Sequence, residues 1–165
     1  MKAIVAVDKK WGIGKNNDLL FSIPEDMKFF RQTTLNKTVV MGRKTLESFP
    51  NGNPLKNRIN IVLSKNLEKD GCVVVKDLSE LKVELEKYCS QDVFVIGGAT
   101  VYQLLLPYCE SALVTKVEAD GDATAFFPNL DKIDGWEKLS ESQSIETNGY
   151  KIKFTEYRND KAIKL

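Results

Sequence analysis

Short apolar runs bounded by turn residues alternate along this chain with amphipathic stretches. The first run, Ala3-Ile4-Val5-Ala6-Val7, stops at Asp8-Lys9-Lys10 and predicts a buried strand over residues 3–8. Residues 9–23 carry Gly12 and Gly14 and read as a loop. A helical pattern follows over Pro24–Thr34, with Ser22 as the expected N-cap of a capping box closed by Glu25 and Pro24 in the first turn. Strands are predicted at 38–41, 59–63 and 72–75, with a short helix near 43–49 and a turn-rich loop at 50–57. Asp77-Leu78-Ser79-Glu80 is a second capping-box pattern, and Leu78, Leu81, Leu85 and Tyr88 share one face of the helix it opens. The apolar strand 93–96 leads to a helix at 99–106 stopped by Pro107. A strand at 112–118 and an antiparallel pair at 136–141 and 150–157 complete the pattern. Strand and helix in alternation imply an α/β fold with a mostly parallel sheet covered on both faces, and the tail makes that sheet mixed.

Size and composition narrow the function. One domain over residues 1–165 is expected, and 42% hydrophobic with 28% charged residues is ordinary for a soluble chain. A net charge of +1 without a basic run argues against a nucleic-acid partner. No run approaches the roughly 20 apolar residues of a membrane span. The apolar start is too short for a signal peptide, so the expectation is a cytoplasmic protein without membrane association. No assembly helix stands out, which favours a monomer. Cys72, Cys89 and Cys109 are odd in number and far apart, as reduced structural thiols are. The chain has no histidine, which removes Ser-His-Asp and Cys-His catalysis and most zinc sites. No metal site is expected, and the chemistry points to a cofactor that carries the reaction itself.

The candidate residues gather at strand ends, where ligands bind in such sheets. Asp26 falls at the edge of the helix face formed by Ile23, Met27, Phe30 and Thr34. It is either a helix-start acid favoured by the macrodipole or a carboxylate awaiting a ligand that offsets its desolvation. Gly97-Gly98 stand between strand and helix, a tight turn or a place where backbone meets a phosphate. Gly42-Arg43-Lys44-Thr45 lacks the earlier glycine of a P-loop, with Val39 in its place, so a nucleotide kinase is disfavoured. Its two cations still suit an anion, as do Ser64-Lys65 after the strand 59–63. Arg58, just before that strand, suits a carboxylate.

These pieces occur in an order that resembles the dihydrofolate reductase family, bacterial chromosomal type. The matching stretches are Ile4-Val5-Ala6, Gly12-Ile13-Gly14, Ile23-Pro24-Glu25-Asp26, Val39 to Thr45, Arg58 to Ser64, Val95 to Tyr102 and Phe127-Pro128. The resemblance spans essentially the whole chain. It implies a single-domain fold with an eight-stranded mixed sheet, flanking helices and a C-terminal antiparallel hairpin. It implies hydride transfer from NADPH to C6 of 7,8-dihydrofolate and a proton to N5. The product is tetrahydrofolate for one-carbon metabolism and for thymidylate, purine and glycine synthesis. Antifolate inhibitors would compete for the same site.

By the same resemblance, Asp26, Phe21 and Thr115 form the catalytic set, with Thr115 supporting Asp26. Ile4 and Ile96 offer backbone carbonyls to the pterin, Met27, Phe30, Leu55 and Tyr102 line its pocket, and Arg58 pairs with the substrate's α-carboxylate. The cofactor would meet Ala6, Ile13 and Gly14 at the nicotinamide. Gly42, Arg43, Lys44, Thr45, Leu63, Ser64, Lys65 and Lys76 would hold the adenosine side, the cations favouring NADPH over NADH. Gly97, Gly98, Ala99, Thr100, Val101 and Tyr102 would border the pyrophosphate and nicotinamide, with a cis bond between the glycines. Residues 9–23 would act as a gate.

Three departures stand out. Leu20-Phe21 replace the family's usual Pro-Trp, Thr124 stands where an aspartate usually ties the gate, and Asn51-Gly52 stand where an arginine is common. Asp122 and Asp120 are the candidate substitutes for the missing aspartate. A pyrimidine reductase of the same fold gives no role to Asp26 and Arg58, and a binding protein that retains both pockets is separated from an enzyme by a turnover assay.

Overall fold

The computed structural model describes residues 1–165. Its centre is β1 (Lys2–Val7), whose Ala3, Ile4, Val5 and Val7 are buried. β1 lies parallel to β7 (Val93–Gly97) on one side and to β8 (Ser111–Val117) on the other. Beyond β7 come β4 (Thr38–Gly42), β5 (Ile59–Leu63) and β6 (Val73–Val75), all parallel. Beyond β8 the sheet turns antiparallel through β12 (Tyr150–Asn159) to the edge strand β10 (Trp136–Glu141). The order β10-β12-β8-β1-β7-β4-β5-β6 is the eight-stranded mixed sheet expected from the sequence, and a short β11 (Ile145–Thr147) pairs with β12 beside it. The central strands are apolar on both faces because helices and loops cover both, as parallel sheets require.

Four α-helices connect the strands: α1 (Pro24–Thr34), α2 (Arg43–Glu47), α3 (Leu78–Leu85) and α4 (Ala99–Leu105). α1 spans the predicted residues, but Ser22 is not its cap. Ile23 holds that position in extended backbone, without a side-chain capping bond. Pro24 is the reason: it takes the first helical position, forces the preceding residue to be extended, and leaves Ser22 one place too early. The Ser22 hydroxyl instead lies 3.7 Å from Met27 Sδ. The second box forms nearly as read. Asp77 Oδ1 accepts the Glu80 N–H at 2.9 Å, while Glu80 reaches past Asp77 to accept the Lys76 N–H at 2.7 Å. Leu81 is buried, with Leu78, Leu85 and Tyr88 packed around the same core. α4 gives way to a 3-10 turn at Leu106–Tyr108, around Pro107.

The stretch expected as a loop at 9–23 is a hairpin at its centre. β2 (Gly12–Lys15) pairs antiparallel with β3 (Asp18–Leu19) and with β9 (Ala125–Phe126), making a separate three-stranded sheet. Asn16 and Asn17 both adopt left-handed backbone, φ 51° and 68°, which suits a two-residue hairpin turn. No helix is long and apolar enough to cross a membrane.

Candidate active site

A cleft opens where β1, α1 and the β2–β3 hairpin meet. Ala6, Ile13, Leu19, Leu20, Phe21, Ile23 and Asp26 line it, so a single carboxylate faces six apolar side chains. α1 delivers Asp26 in its first turn, and Ile23, buried beneath, anchors that turn to Val117 and Ile152 of the sheet. The β1–β8 register sets Thr115 opposite Ala6. Burial pushes the Asp26 carboxyl above the ordinary aspartate value, and a hydrogen bond from the Thr115 side chain works in the opposite direction. Thr115 is itself buried, so this hydroxyl is held in place.

Of the other predicted residues on the substrate side, Phe21 lines this cleft and the rest lie outside its lining. Phe21 is half-buried and meets Tyr150 edge-on at 5.1 Å between ring centroids. Tyr102 is buried and donates its hydroxyl to the Ile4 carbonyl at 2.6 Å. That bond takes one lone pair of the oxygen and leaves the second for a ligand. Burial raises the Tyr102 phenol, and the nearby Asp26 charge adds to the shift. Phe30, Leu55 and Ile96 are half-buried, the last two packed on Met41, Val39 and their neighbours. Met27 departs from expectation. It is 59% exposed and outside the lining of the Asp26 cleft, because the stripe it shares with Thr34 is buried only towards the end of the helix.

Arg58 is held before β5 by two bonds. Its Nε donates to Thr34 Oγ1 at 3.1 Å and its Nη1 to the Lys56 carbonyl at 3.1 Å. Partial burial, reinforced by the Arg31 charge, lowers its pKa, while arginine stays charged throughout the working pH range. A guanidinium oriented this way keeps donors for a carboxylate.

The predicted cofactor residues fall at the ends of adjacent parallel strands. α2 and α4 begin side by side: a Cβ on Gly42 would stand 3.1 Å from Val101 Cγ2, and one on Gly98 would stand 3.6 Å from Thr45 Oγ1. The Gly97-Gly98 bond is cis, as the resemblance implied, and Gly97 has φ +122°. A side chain at Gly97 would meet the Tyr102 ring at 3.3 Å, so Gly97 is buried against that ring. Ala99 is half-buried, Val101 buried and Thr100 exposed. Arg43, Lys44, Lys65 and Lys76 are exposed, Ser64 and Leu63 half-buried, and Arg43 lies 3.3 Å from Glu47. Ala6 and Ile13 line the Asp26 cleft, with Gly14 close behind in β2. No group of three or more His, Cys, Asp or Glu side chains could hold a metal.

A family model described as dihydrofolate reductase matches residues 1–159. The chain belongs to the dihydrofolate reductase family. Dihydrofolate reductase of Bacillus subtilis is 36% identical over 98% of this chain and 95% of its own length. That of Staphylococcus haemolyticus is 34% identical over 93% and 92%. A solved dihydrofolate reductase of Enterococcus faecalis, complexed with NADP(H) and RAB-propyl, superposes with a TM-score of 0.83. It is 33% identical and covers 96% of this chain and 95% of that one.

Against the family pattern, the hairpin tie survives its missing aspartate. Thr124 Oγ1 accepts the Asn16 N–H at 3.1 Å, and the Thr124 N–H donates to the Gly14 carbonyl at 2.8 Å. Asp122 adds an ion pair with Lys15 at 3.1 Å, and Asp120 one with Lys10 at 2.8 Å. Leu19, Leu20 and Ile23 are the lining residues that sequence reasoning did not place in the site. Their signal was present: Leu19-Leu20-Phe21 is an apolar run inside an otherwise polar loop.

Proposed function

We propose that this chain reduces 7,8-dihydrofolate to 5,6,7,8-tetrahydrofolate with NADPH, through the cleft that holds Asp26. The observation that carries the reading is a single half-buried carboxylate in an apolar cleft, its pKa raised by burial, in a chain of this family. A pterin presents an amino group and an adjacent ring nitrogen, and a lone carboxylate accepts from both. Asp26 then orients the ring and favours its protonation at N5, with water delivering the proton in the absence of any histidine. Thr115 and Phe21 complete this set, Thr115 by holding the carboxylate and Phe21 by walling the cleft. The Ile4 and Ile96 carbonyls accept from the pterin edge, Phe30, Leu55 and Tyr102 border the ring, and Arg58 binds the α-carboxylate of the tail. Antifolates take the same groups.

The cofactor side fits NADPH on this structure's own terms. Two glycine turns lie side by side, Gly42 against Val101 and Gly98 against Thr45, and exposed cations flank them. When bound, NADPH supplies the hydride that reaches C6. Gly42, Gly97, Gly98, Ala99 and Thr100 offer backbone to the pyrophosphate, with Val101 and Tyr102 packed behind. Arg43, Lys44, Thr45, Ser64 and Lys65 hold the 2′-phosphate side, and Leu63 and Lys76 border the adenine. Ala6, Ile13 and Gly14 present backbone to the nicotinamide, and the hairpin excludes water. We also infer one domain over residues 1–165 that acts as a monomer without nucleic acid, from the lack of an assembly helix and a net charge of +1 with no basic run. Its unpaired thiols suit the reducing cytoplasm.

The test is loss of NADPH absorbance on addition of dihydrofolate. The parent chain turns over, and Asp26→Asn loses about 100-fold or more at neutral pH, in the range for removal of one proton-handling group. Tight binding of both ligands without turnover would replace this reading with that of a binding protein.

A further inference from the structure

Asp8 directly follows β1 and carries a carboxylate that is 2% exposed and makes no ion pair within 4.0 Å. Its partners are backbone N–H groups of two segments. Oδ1 accepts Lys10 N–H at 2.8 Å and Gly12 N–H at 2.7 Å, both within the turn that leads into β2. Oδ2 accepts Gly121 N–H at 3.0 Å, across 113 positions of sequence. Charged acceptors make the stronger hydrogen bonds, and a buried one that loses a partner costs more still. The neighbouring Lys10–Asp120 and Lys15–Asp122 pairs are exposed and contribute little.

Both amide-bearing glycines stand where a side chain would not fit, Gly12 against Asp8 and Ala123 and Gly121 against Leu20. A Cβ at Gly12 would stand 2.9 Å from each Asp8 oxygen and 2.4 Å from Ala123 Cβ. A Cβ at Gly121 would stand 2.8 Å from Leu20 Cδ1. Leu20 in turn lines the Asp26 cleft. A continuous path of contacts therefore runs from the Asp8 carboxylate through the Gly121 backbone to the wall that faces Asp26.

We infer that Asp8 is a positioning residue for the reaction: by holding the Gly121 amide it fixes the surface on which Leu20 rests, and so sets the width of the Asp26 cleft. This rests on the reading of that cleft as the reductase site. A carboxylate is required because both of its oxygens accept. In Asp8→Asn the carbamoyl oxygen keeps the two bonds of the turn, and its NH2 then confronts the Gly121 N–H donor to donor. The substitution thus removes the bond to Gly121 and spares the local turn, while the Lys9 N–H to Ala119 carbonyl bond at 3.0 Å still joins the two segments.

Single-turnover hydride transfer from saturating NADPH to dihydrofolate tests this. Asp8→Asn lowers the rate about fivefold or more, with the Kd for dihydrofolate changed less than about twofold, the split expected when geometry rather than affinity is lost. In a Leu20→Ala background the same substitution has no further effect, because its route to the site is gone. A folded Asp8→Asn chain with the parent rate overturns the inference, as does a loss that adds undiminished to that of Leu20→Ala. Should Asp8→Asn not fold, Gly121→Ala decides. Its methyl displaces Leu20 from the same side with Asp8 intact, and the same rate loss is expected, a parent-like rate being contrary. Absence of turnover in the parent overturns the reductase reading and this inference together, whereas parent-rate transfer in Asp8→Asn overturns the inference alone.

Discussion

Asp26 illustrates how one residue trades stability for a site. Its carboxyl is raised by burial above the ordinary 3.8, so the folded chain binds that proton more tightly than the unfolded chain. Between the unfolded and folded values, stability falls as pH rises, and the cost of the buried charge is fully present above the folded value. Asp26→Asn removes the charge and keeps the shape. The ligand-free variant should therefore melt above the parent at pH 7, by on the order of 2 °C for a chain of this size. The gain should shrink as pH falls through the folded value and vanish well below pH 3.8, where the parent carboxyl is neutral in both states. Calorimetry across that range checks it, and a variant less stable than the parent at pH 7 would mean that Asp26 is stabilised by bonds rather than strained by burial. The anomaly of a carboxylate beside Phe29 and Phe30 was legible in the sequence. The opposing hydroxyl of Thr115 was not derivable from local pattern, since it arrives through the strand register that sets Thr115 beside Ala6.

Elements separate the residues that serve the site from those that serve the fold. α2 exposes Arg43 beside the glycine turn of α4, with Glu47 as its only close anion, 3.3 Å away. An exposed pair of this kind is weak, so it would yield to a phosphate at the proposed cofactor site. Arg43→Ala should weaken NADPH binding about tenfold and NADH hardly at all, within the range for a hydrogen bond to a charged group. Fluorescence titration with both nucleotides measures it, and equal weakening would remove the 2′-phosphate assignment. α3 is the contrasting case. Its cap bond from Glu80 N–H to Asp77 holds a helix whose buried Leu81 belongs to the core and to no site. Asp77→Ala should cost about 1 kcal/mol in urea unfolding and leave turnover unchanged. Both caps looked alike in the sequence, yet only the one at Asp77 formed. Pro24 moved the other by a residue, an effect of ring geometry that outranks the serine's preference. The β2–β3 hairpin escaped notice because its strands are four and two residues long and alternate weakly, so the Asn16-Asn17 turn was its only mark. β9 and β11 were too short to carry a pattern of their own.

On the scale of the whole molecule, the parallel strands were readable because burial on both faces writes an unbroken apolar run, and residues 39–41 and 93–96 carry one. What no run encodes is which distant segments meet, and the ties of Asp8 and Thr124 to residues more than a hundred positions away are of that kind. The same core that makes the strands legible also ranks the thiols. Cys109 is fully buried and donates weakly to the Leu105 carbonyl, and burial pushes its thiol up to about 12. Cys72 is half-buried, with burial raising its thiol against the nearby Lys69, and Cys89 is exposed. Thiolate is the reactive form, so reactivity follows exposure and pKa together. A disulfide-exchange reagent at pH 8 should label Cys89 first and Cys72 more slowly. Cys109 should react only at the rate of global opening, because its neighbours lie in the single large core cluster rather than in a loop that frays. Adding urea should then raise the Cys109 rate along the slope of global unfolding. Rapid labelling of Cys109 in the native chain would mean that β8 and the turn after α4 open independently of the rest of the sheet.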